Sequence, residues 1–278
     1  MTLFALYYKF FKQKPCPIKM KIVAVIPARY QSRRLPGKPL AEIAGEPMIR
    51  WVYERAQKAQ FIDEVWVATD DERIHKVVKS FGGNIQMTSS EHQSGTDRIA
   101  EIARHMDWDL VINVQGDEPL IDPDMIDEVI LCLKNNPSVY MGTLKREIKT
   151  TDEVLNPNVV KVVTDNEGYA LYFSRSPLPF LRTLWSTIQE IEHAPLSFPI
   201  FKHIGLYGYR KDFLLHFASL KPTPLEKIEH LEQLRVLEHG YKIKVEITEK
   251  DSLGVDRLAD LQRVRTLVKQ QGLSFNVP

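Results

Sequence analysis

The chain has 278 residues, 26% of them charged and 44% hydrophobic, with a formal net charge of +1. That length buries a sizeable core, and the near-neutral balance argues against nucleic-acid binding over the whole surface, so any anion site is local. No run of about 18 apolar residues occurs, so no membrane span is expected. The two cysteines, Cys16 and Cys132, form no CxxC, and the eight histidines show no HExxH or paired Cys/His spacing. A disulfide framework and a zinc site are therefore not expected, and a reducing cytoplasm suits the chain.

Residues 1–19 are aromatic and basic, without the apolar centre and small-residue cleavage site of a signal peptide. A poorly ordered extension with no part in chemistry is expected there, and Met20 is an alternative start. An apolar run, Ile22 to Ile26, reads as a buried strand that breaks at Pro27. The loop after it carries Arg29, Ser32, Arg33, Arg34 and Lys38, four cations and no acid. Gly37 lets this loop turn where a side chain would obstruct it. A cationic loop at the carboxyl end of a buried strand is a common way to hold a polyphosphate, and Arg29 and Arg34 suit bidentate grip on its oxygens. The plain alternative is a solvated basic turn.

Pro47 opens a helix whose apolar positions, Ile49, Val52, Tyr53 and Ala56, recur at helical spacing. Glu64 to Ala68 reads as a second strand, with Thr69, Asp70 and Asp71 leading into a helix over 71–81 that Gly82-Gly83 closes. Asn84 to Met87 is a short third strand. A polar loop follows, then a helix with Ile99, Ile102, Ala103 and Met106 on one face. Asp109 to Val114 is a fourth strand, continuously apolar as buried parallel strands are. Strands alternating with helices at this spacing predict a doubly wound, mostly parallel α/β sheet. Beyond it, Val159–Thr164 and Tyr169–Phe173 flank a hairpin turn, and residues 176–199 read as a long loop. Lys202 to Tyr209 reads as a strand. Helices follow over 211–220 and from Pro224, then a strand over 242–247 and a closing helix over 256–269. The expectation is a single domain over 20–278 with an antiparallel insertion around 150–210.

The chemistry-bearing groups fall at the strand ends. Gln115-Gly116-Asp117-Glu118-Pro119 follows the fourth strand at once. An aspartate there points into the ligand crevice of such a sheet and suits a hard cation that completes its shell with phosphates. Asp117 is the natural ligand, the alternative being a cap on the helix near Pro123. Asp256 precedes the last helix, where capping is an equal alternative. Ser94, Gly95 and Thr96 open a helix, so their hydroxyls and free amides suit either a nucleoside or a simple N-cap. In the stretch from Pro224 to Glu238, a continuous helix would put Ile228, Leu231 and Leu234 on one side. It would put Glu226, Glu229 and Gln233 on the other, where they are either solvated or aimed at sugar hydroxyls. His203 and Tyr207, at i and i+4 on a strand, share a sheet face and, with Arg175, suit a carboxylate.

Together these stretches resemble the 3-deoxy-manno-octulosonate (Kdo) cytidylyltransferases. PARYQSRRLPGKPL, ATD, HQSGTDR, NVQGDEP, NPNVVKVV, YALYFSRSPLP, KHIGLYGYR, PLEKIEHLEQLRVLE and GVD stand in the family's order from about Lys21 to Val268. The extension 1–19 departs from the family's pattern. The resemblance implies a magnesium-dependent transfer of CMP from CTP to Kdo, releasing pyrophosphate, by a homodimer. It places Arg29, Ser32, Arg34 and Lys38 on the CTP phosphates and Ser94 and Gly95 at the cytidine, with Thr69 nearby. It makes Asp117 and Asp256 the metal ligands, and Lys38, Asp117, Asp256 and Arg29 the catalytic set. Gln115, Arg175, His203, Tyr207, Glu229 and Gln233 fall on the sugar side. A transferase for another acidic sugar, 8-amino-Kdo or a sialic acid, and a non-catalytic nucleotide-sugar sensor stay open as alternatives. A dehydrogenase is disfavoured because no GxGxxG follows the first strand.

Overall fold

The structure is a computed structural model that describes residues 20–31, 34–182, 185 and 198–275. The expected extension 1–19 and most of the expected loop 176–199 lie outside the described residues. Strand β1 (Ile22–Ala28) is the pivot of the sheet, and β2 (Glu42–Ile43) and β3 (Glu46–Pro47) pair with each other apart from it. β1 pairs in parallel with β4 (Glu64–Thr69) on one side and β6 (Leu110–Asn113) on the other. β5 (Asn84–Met87) extends the sheet beyond β4, also in parallel. Beyond β6 come β10 (Phe201–Arg210), β7 (Met141–Glu147) and β11 (Lys244–Ile247), giving the order β11-β7-β10-β6-β1-β4-β5. Only β10 runs against its neighbours along this path.

β1 shows why the sequence folds this way. It is apolar at both alternating sets of positions, so it packs on two layers. Ile22, Ala24, Ile26 and Ala28 face α1 (Met48–Gln57), α2 (Glu72–Ser80) and α4 (Pro123–Asn135). Val23 and Val25 face α3 (Gly95–Arg104) and α6 (Lys211–Ser219). Each fully buried Val or Ile contributes roughly 1.5–3 kcal/mol, and a polar residue at any of these positions would face an apolar layer. A third cluster seats the closing helix α9 (Leu258–Gln270), whose Leu261, Val264 and Val268 pack on Ile43, Met48 and Trp51.

The sheet reverses its winding between β1 and β6. β4 and β5 are added on one side of β1, and β6 on the other, so their carboxyl ends diverge to leave a crevice. This confirms the expected doubly wound α/β class. Within the insertion expected around 150–210, β10 belongs to the main sheet, and among the described residues the hairpin of β8 (Lys161–Thr164) and β9 (Ala170–Ser174) hangs from it. The sequence reading missed β7 and the short α5 (Thr151–Leu155).

The stretch from Pro224 is two helices rather than one. α7 (Pro224–Glu229) ends at His230, which takes a left-handed conformation with φ 52°, and α8 (Gln233–Glu238) starts afresh. The expected stripe of Glu226, Glu229 and Gln233 is therefore broken, and Ile228, expected on the apolar side, is 76% exposed.

Candidate active site

The loop after β1 folds back on itself. Gly37 has φ 68° and donates its amide to the Tyr30 carbonyl at 2.9 Å. A Cβ at Gly37 would fall 3.2 Å from the Tyr30 ring, so the ring occupies the space that glycine leaves. The Arg73 guanidinium stacks on Tyr30, its Cζ 3.2 Å from the ring centre, and Asp71 holds Arg73 through both carboxylate oxygens. The backbone that presents Lys38 is thus pinned from outside the loop. Ser32 and Arg33 lie outside the described residues.

Lys38 reaches from this loop into a pair of acids. Its Nζ is 2.7 Å from Asp117 Oδ2 and 3.4 Å from Asp256 Oδ1. Arg34 Nη2 lies 3.0 Å from the same oxygen of Asp256. Arg34 and Lys38 of this loop are therefore brought together with Asp117 and Asp256, which lie far along the sequence. The capping alternatives fail for both acids. Asp122 caps α4 by accepting from the Asp124 amide. Asp260 accepts from the amides of Asp256 and Arg257 at the start of α9. Both candidate carboxylates are left to face cations. The Val255 amide donates to the Asp117 carbonyl at 2.8 Å, which ties the two acid-bearing loops.

Among the described residues, no group of three or more His, Cys, Asp or Glu side chains could hold a metal ion. Two carboxylates, with oxygens left for water and phosphate, are a donor set that suits magnesium as a shared ion rather than a caged one.

Glu118, given no role in the sequence reading, accepts from Ser252 Oγ at 2.8 Å. Burial and the neighbouring Asp117 charge push its carboxyl up to about 7. A cavity of about 1110 Å³ opens here, lined among others by Arg34, Glu118, His203, Gly205, Ser252 and Asp256.

The nucleoside candidates gather on the other side of β1. Ser94 is the N-cap of α3 and forms a capping box with Asp97, so the capping reading holds for Ser94. Gly95 packs beside Pro27 at the end of β1. Thr69 is fully buried, and its carbonyl accepts from the amide and hydroxyl of Thr88. Beneath it the buried Arg98 pairs with Asp70 at 2.9 Å. Arg29 sits with this group rather than with Lys38. Burial, and then the nearby Arg98 charge, lower its pKa, while Asp70, Asp97 and Glu232 oppose that. One of its terminal nitrogens, Nη2, is buried without a hydrogen-bond partner among the described residues.

On the sugar side the structure separates the candidates. His203 and Tyr207 share a face, with ring centres 5.2 Å apart. They do so across an irregularity in which Gly205 and Leu206 are extra to the pairing with β7; two added residues keep the alternation in phase. His203 Nε2 is 3.0 Å from Thr143 Oγ1, and burial lowers its pKa to about 3, so the ring is neutral. It can therefore hydrogen-bond a carboxylate but not neutralise one. Burial pushes the Tyr207 hydroxyl far up. Gln115 donates to Asn113 Oδ1 at 3.2 Å.

Arg175 and Glu229 are bound to each other's surroundings. Glu229 accepts from Ser174 Oγ at 2.7 Å and from the Arg175 amide at 3.0 Å. Three Arg175 donors go to the carbonyls of Glu229, Pro157 and His230. Gln233 is buried at the start of α8.

The sequence reading missed Glu232. It accepts from Thr96 Oγ1 at 2.6 Å, its other oxygen is buried without a hydrogen bond among the described residues and lies 3.8 Å from Arg235 Nη2, and burial raises its pKa. On a continuous helix it would fall four residues from Ile228, beside the apolar side. An acid in that place was the available signal.

A family model described as cytidylyltransferase matches residues 23–244. The 3-deoxy-manno-octulosonate cytidylyltransferase of Geotalea uraniireducens (strain Rf4) is 57% identical over 251 residues, 90% of this chain and 100% of the relative. The chain belongs to the 3-deoxy-manno-octulosonate cytidylyltransferase family. Its member from Geobacter sulfurreducens is 55% identical over 250 residues, again 90% of this chain and 100% of the relative. A solved structure of CMP:2-keto-3-deoxy-manno-octonic acid synthetase complexed with CTP is 42% identical with a TM-score of 0.82, covering 90% of this chain and 99% of that one. The 4-diphosphocytidyl-2C-methyl-D-erythritol synthase of Anaerococcus prevotii, at 14% identity and a TM-score of 0.56, shares the fold alone and covers 90% of this chain and 97% of its own.

Proposed function

We propose that this chain transfers CMP from CTP to the anomeric hydroxyl of Kdo, releasing pyrophosphate, and so supplies CMP-Kdo for lipopolysaccharide assembly. The observation that carries this reading is the Lys38 ammonium set between Asp117 and Asp256 at the switch point of the sheet, in a chain of this family. Phosphoryl-type transfer needs little covalent chemistry from the protein, which mainly positions the groups and offsets charge.

In this reading Asp117 and Asp256 hold Mg2+, which when bound would polarise the α-phosphate and favour ionisation of the attacking hydroxyl. Lys38 and Arg34 turn to the phosphates and offset charge growing on the leaving pyrophosphate. Arg29, with an unpartnered Nη2, reaches the nucleotide from the α3 side. The start of α3, at Ser94 and Gly95, faces the cytidine with Thr69 behind it. Gln115, His203, Tyr207 and Gln233 are assigned to the sugar, and Glu232 joins them through the oxygen that makes no hydrogen bond among the described residues. Arg175 offers the sugar carboxylate only the donors not spent on carbonyls, and Glu229 acts by fixing Arg175. On the family resemblance the chain works as a cytoplasmic homodimer. Among the described residues no helix is long and apolar enough to cross a membrane.

The test is pyrophosphate release from CTP and Mg2+ with a panel of acidic sugars. Release that depends on Kdo and stops on chelation of the metal is expected. Release with 8-amino-Kdo or a sialic acid but not with Kdo would overturn the substrate assignment.

A further inference from the structure

We infer that Lys38 is a tethered cation that holds the position between Asp117 and Asp256 until nucleotide arrives, so that the chain takes up its divalent ion together with CTP and not before it. This rests on the reading of Asp117 and Asp256 as the metal pair, and adds to it an order of assembly.

The ammonium lies 2.7 Å from one carboxylate and 3.4 Å from the other, inside the pair. The Lys38 side chain is 14% exposed, against 33% for Asp117 and 46% for Asp256. With Arg34 on Asp256, two positive charges already face two negative ones. A metal ion without phosphates would meet a neutralised cluster and gain only two protein carboxylates, too few for a cation that sheds its water reluctantly. It would also have to displace Lys38. CTP changes the balance, because its phosphates give Lys38 a new partner as they bring oxygens for the ion.

The loop is built for that exchange. Its backbone is fixed by the bond from the Gly37 amide to the Tyr30 carbonyl and by Arg73 stacked on Tyr30, so only the flexible lysine stem has to turn. The acids stay in place when the ammonium leaves, since the Val255 amide holds the Asp117 carbonyl.

The test uses Mn2+ alone, titrated into the full chain without nucleotide, with free Mn2+ read from its electron paramagnetic resonance signal. Lys38→Met is expected to bind Mn2+ at least about tenfold more tightly than the unsubstituted chain, because a unit charge beside both carboxylates has gone; partial exposure keeps the figure modest. Lys38→Arg, which keeps the charge, is expected to bind weakly, and Lys38→Met with Asp117→Asn is expected to lose the gain. Unchanged affinity in Lys38→Met, or a gain that survives Asp117→Asn, overturns the inference. In the unsubstituted chain a non-hydrolysable CTP analogue is expected to tighten Mn2+ binding. Equal affinity with and without it also overturns the inference, even if no Lys38 variant folds. Kdo-dependent pyrophosphate release is measured in parallel; its failure would sink the proposed function and leave the Mn2+ comparison standing.

Discussion

Gly116→Ala tests whether the ends of β1 and β6 must approach as closely as they do. A Cβ on Gly116 would fall 2.8 Å from the Pro27 carbonyl oxygen and 3.5 Å from Ile26 Cγ2. Pro27 cannot yield easily, because its strand is paired with β4 through the neighbouring residues. Relief of the clash means parting the two strand ends by roughly 0.5 Å, the difference from ordinary van der Waals contact. Overpacking of this kind costs about 1–3 kcal/mol, or roughly 3–10 °C in melting temperature for a chain of this size. Asp117 is the next residue and moves with the strand end, away from Lys38. If a 1 Å displacement of a reacting group costs about 100-fold, half of that costs about tenfold in kcat. KM for CTP should change less, since Arg34, Lys38 and Ser94 stand on other segments. Steady-state pyrophosphate release and a thermal melt measure both effects. A Gly116→Ala enzyme with unchanged kcat and unchanged melting temperature would refute the argument that this contact sets the site.

Asp117→Asn is expected to lower turnover by about 10³-fold or more while the thermal melt stays close to that of the parent; magnesium-dependent turnover near the parent rate would remove Asp117 from the chemistry. Lys38→Ala is expected to reduce kcat on CTP more than it alters preference among nucleotides, as competition assays with the other triphosphates would show. Tyr30→Ala is expected to raise KM for CTP several-fold and Tyr30→Phe to change it much less, because the phenylalanine ring still fills most of the space beside Gly37 and still carries the Arg73 stack. His203 takes up a proton near 6.5 in the unfolded chain but only near 3 in the folded one. The unfolded state therefore binds more protons in that window, and stability falls as pH drops from 6.5 towards 3, by roughly 4 kcal/mol at most from this group. His203→Gln should flatten the acid limb of a denaturation series between those pH values; a limb of unchanged slope would contradict the burial argument.

The parallel core was readable because β1, β4 and β6 are apolar at both alternating sets of positions and end in Pro, Thr-Asp or Gln-Gly-Asp. β7 was not, since MGTLKRE looks amphipathic at best. Its Lys145 is buried by neighbours on both sides, its ammonium resting on Thr164 Oγ1 at 2.6 Å. Only the sheet order makes that strand internal. The break at His230 carries no glycine or proline to announce it, and the cost of the left-handed residue is met by tertiary contacts such as Arg175 to the His230 carbonyl. Glu232 was missed for the same reason. For Asp117 and Asp256, the strand end and the preceding glycine marked the residues. That both contact one ammonium is a property of how α9 docks, which no local pattern encodes.

Among the described residues every strand of the sheet is complete by Ile247, yet Asp256 and the helix that seats its loop follow later in the chain. A nascent polypeptide that has emerged as far as residue 250 therefore has the whole sheet and only one of the two acids. On the proposed function, such a molecule carries the residues assigned to the nucleotide but half of the metal pair, so turnover waits for translation through α9. A frameshift in this last stretch is then expected to leave a chain that keeps the sequence of every strand described and makes no product.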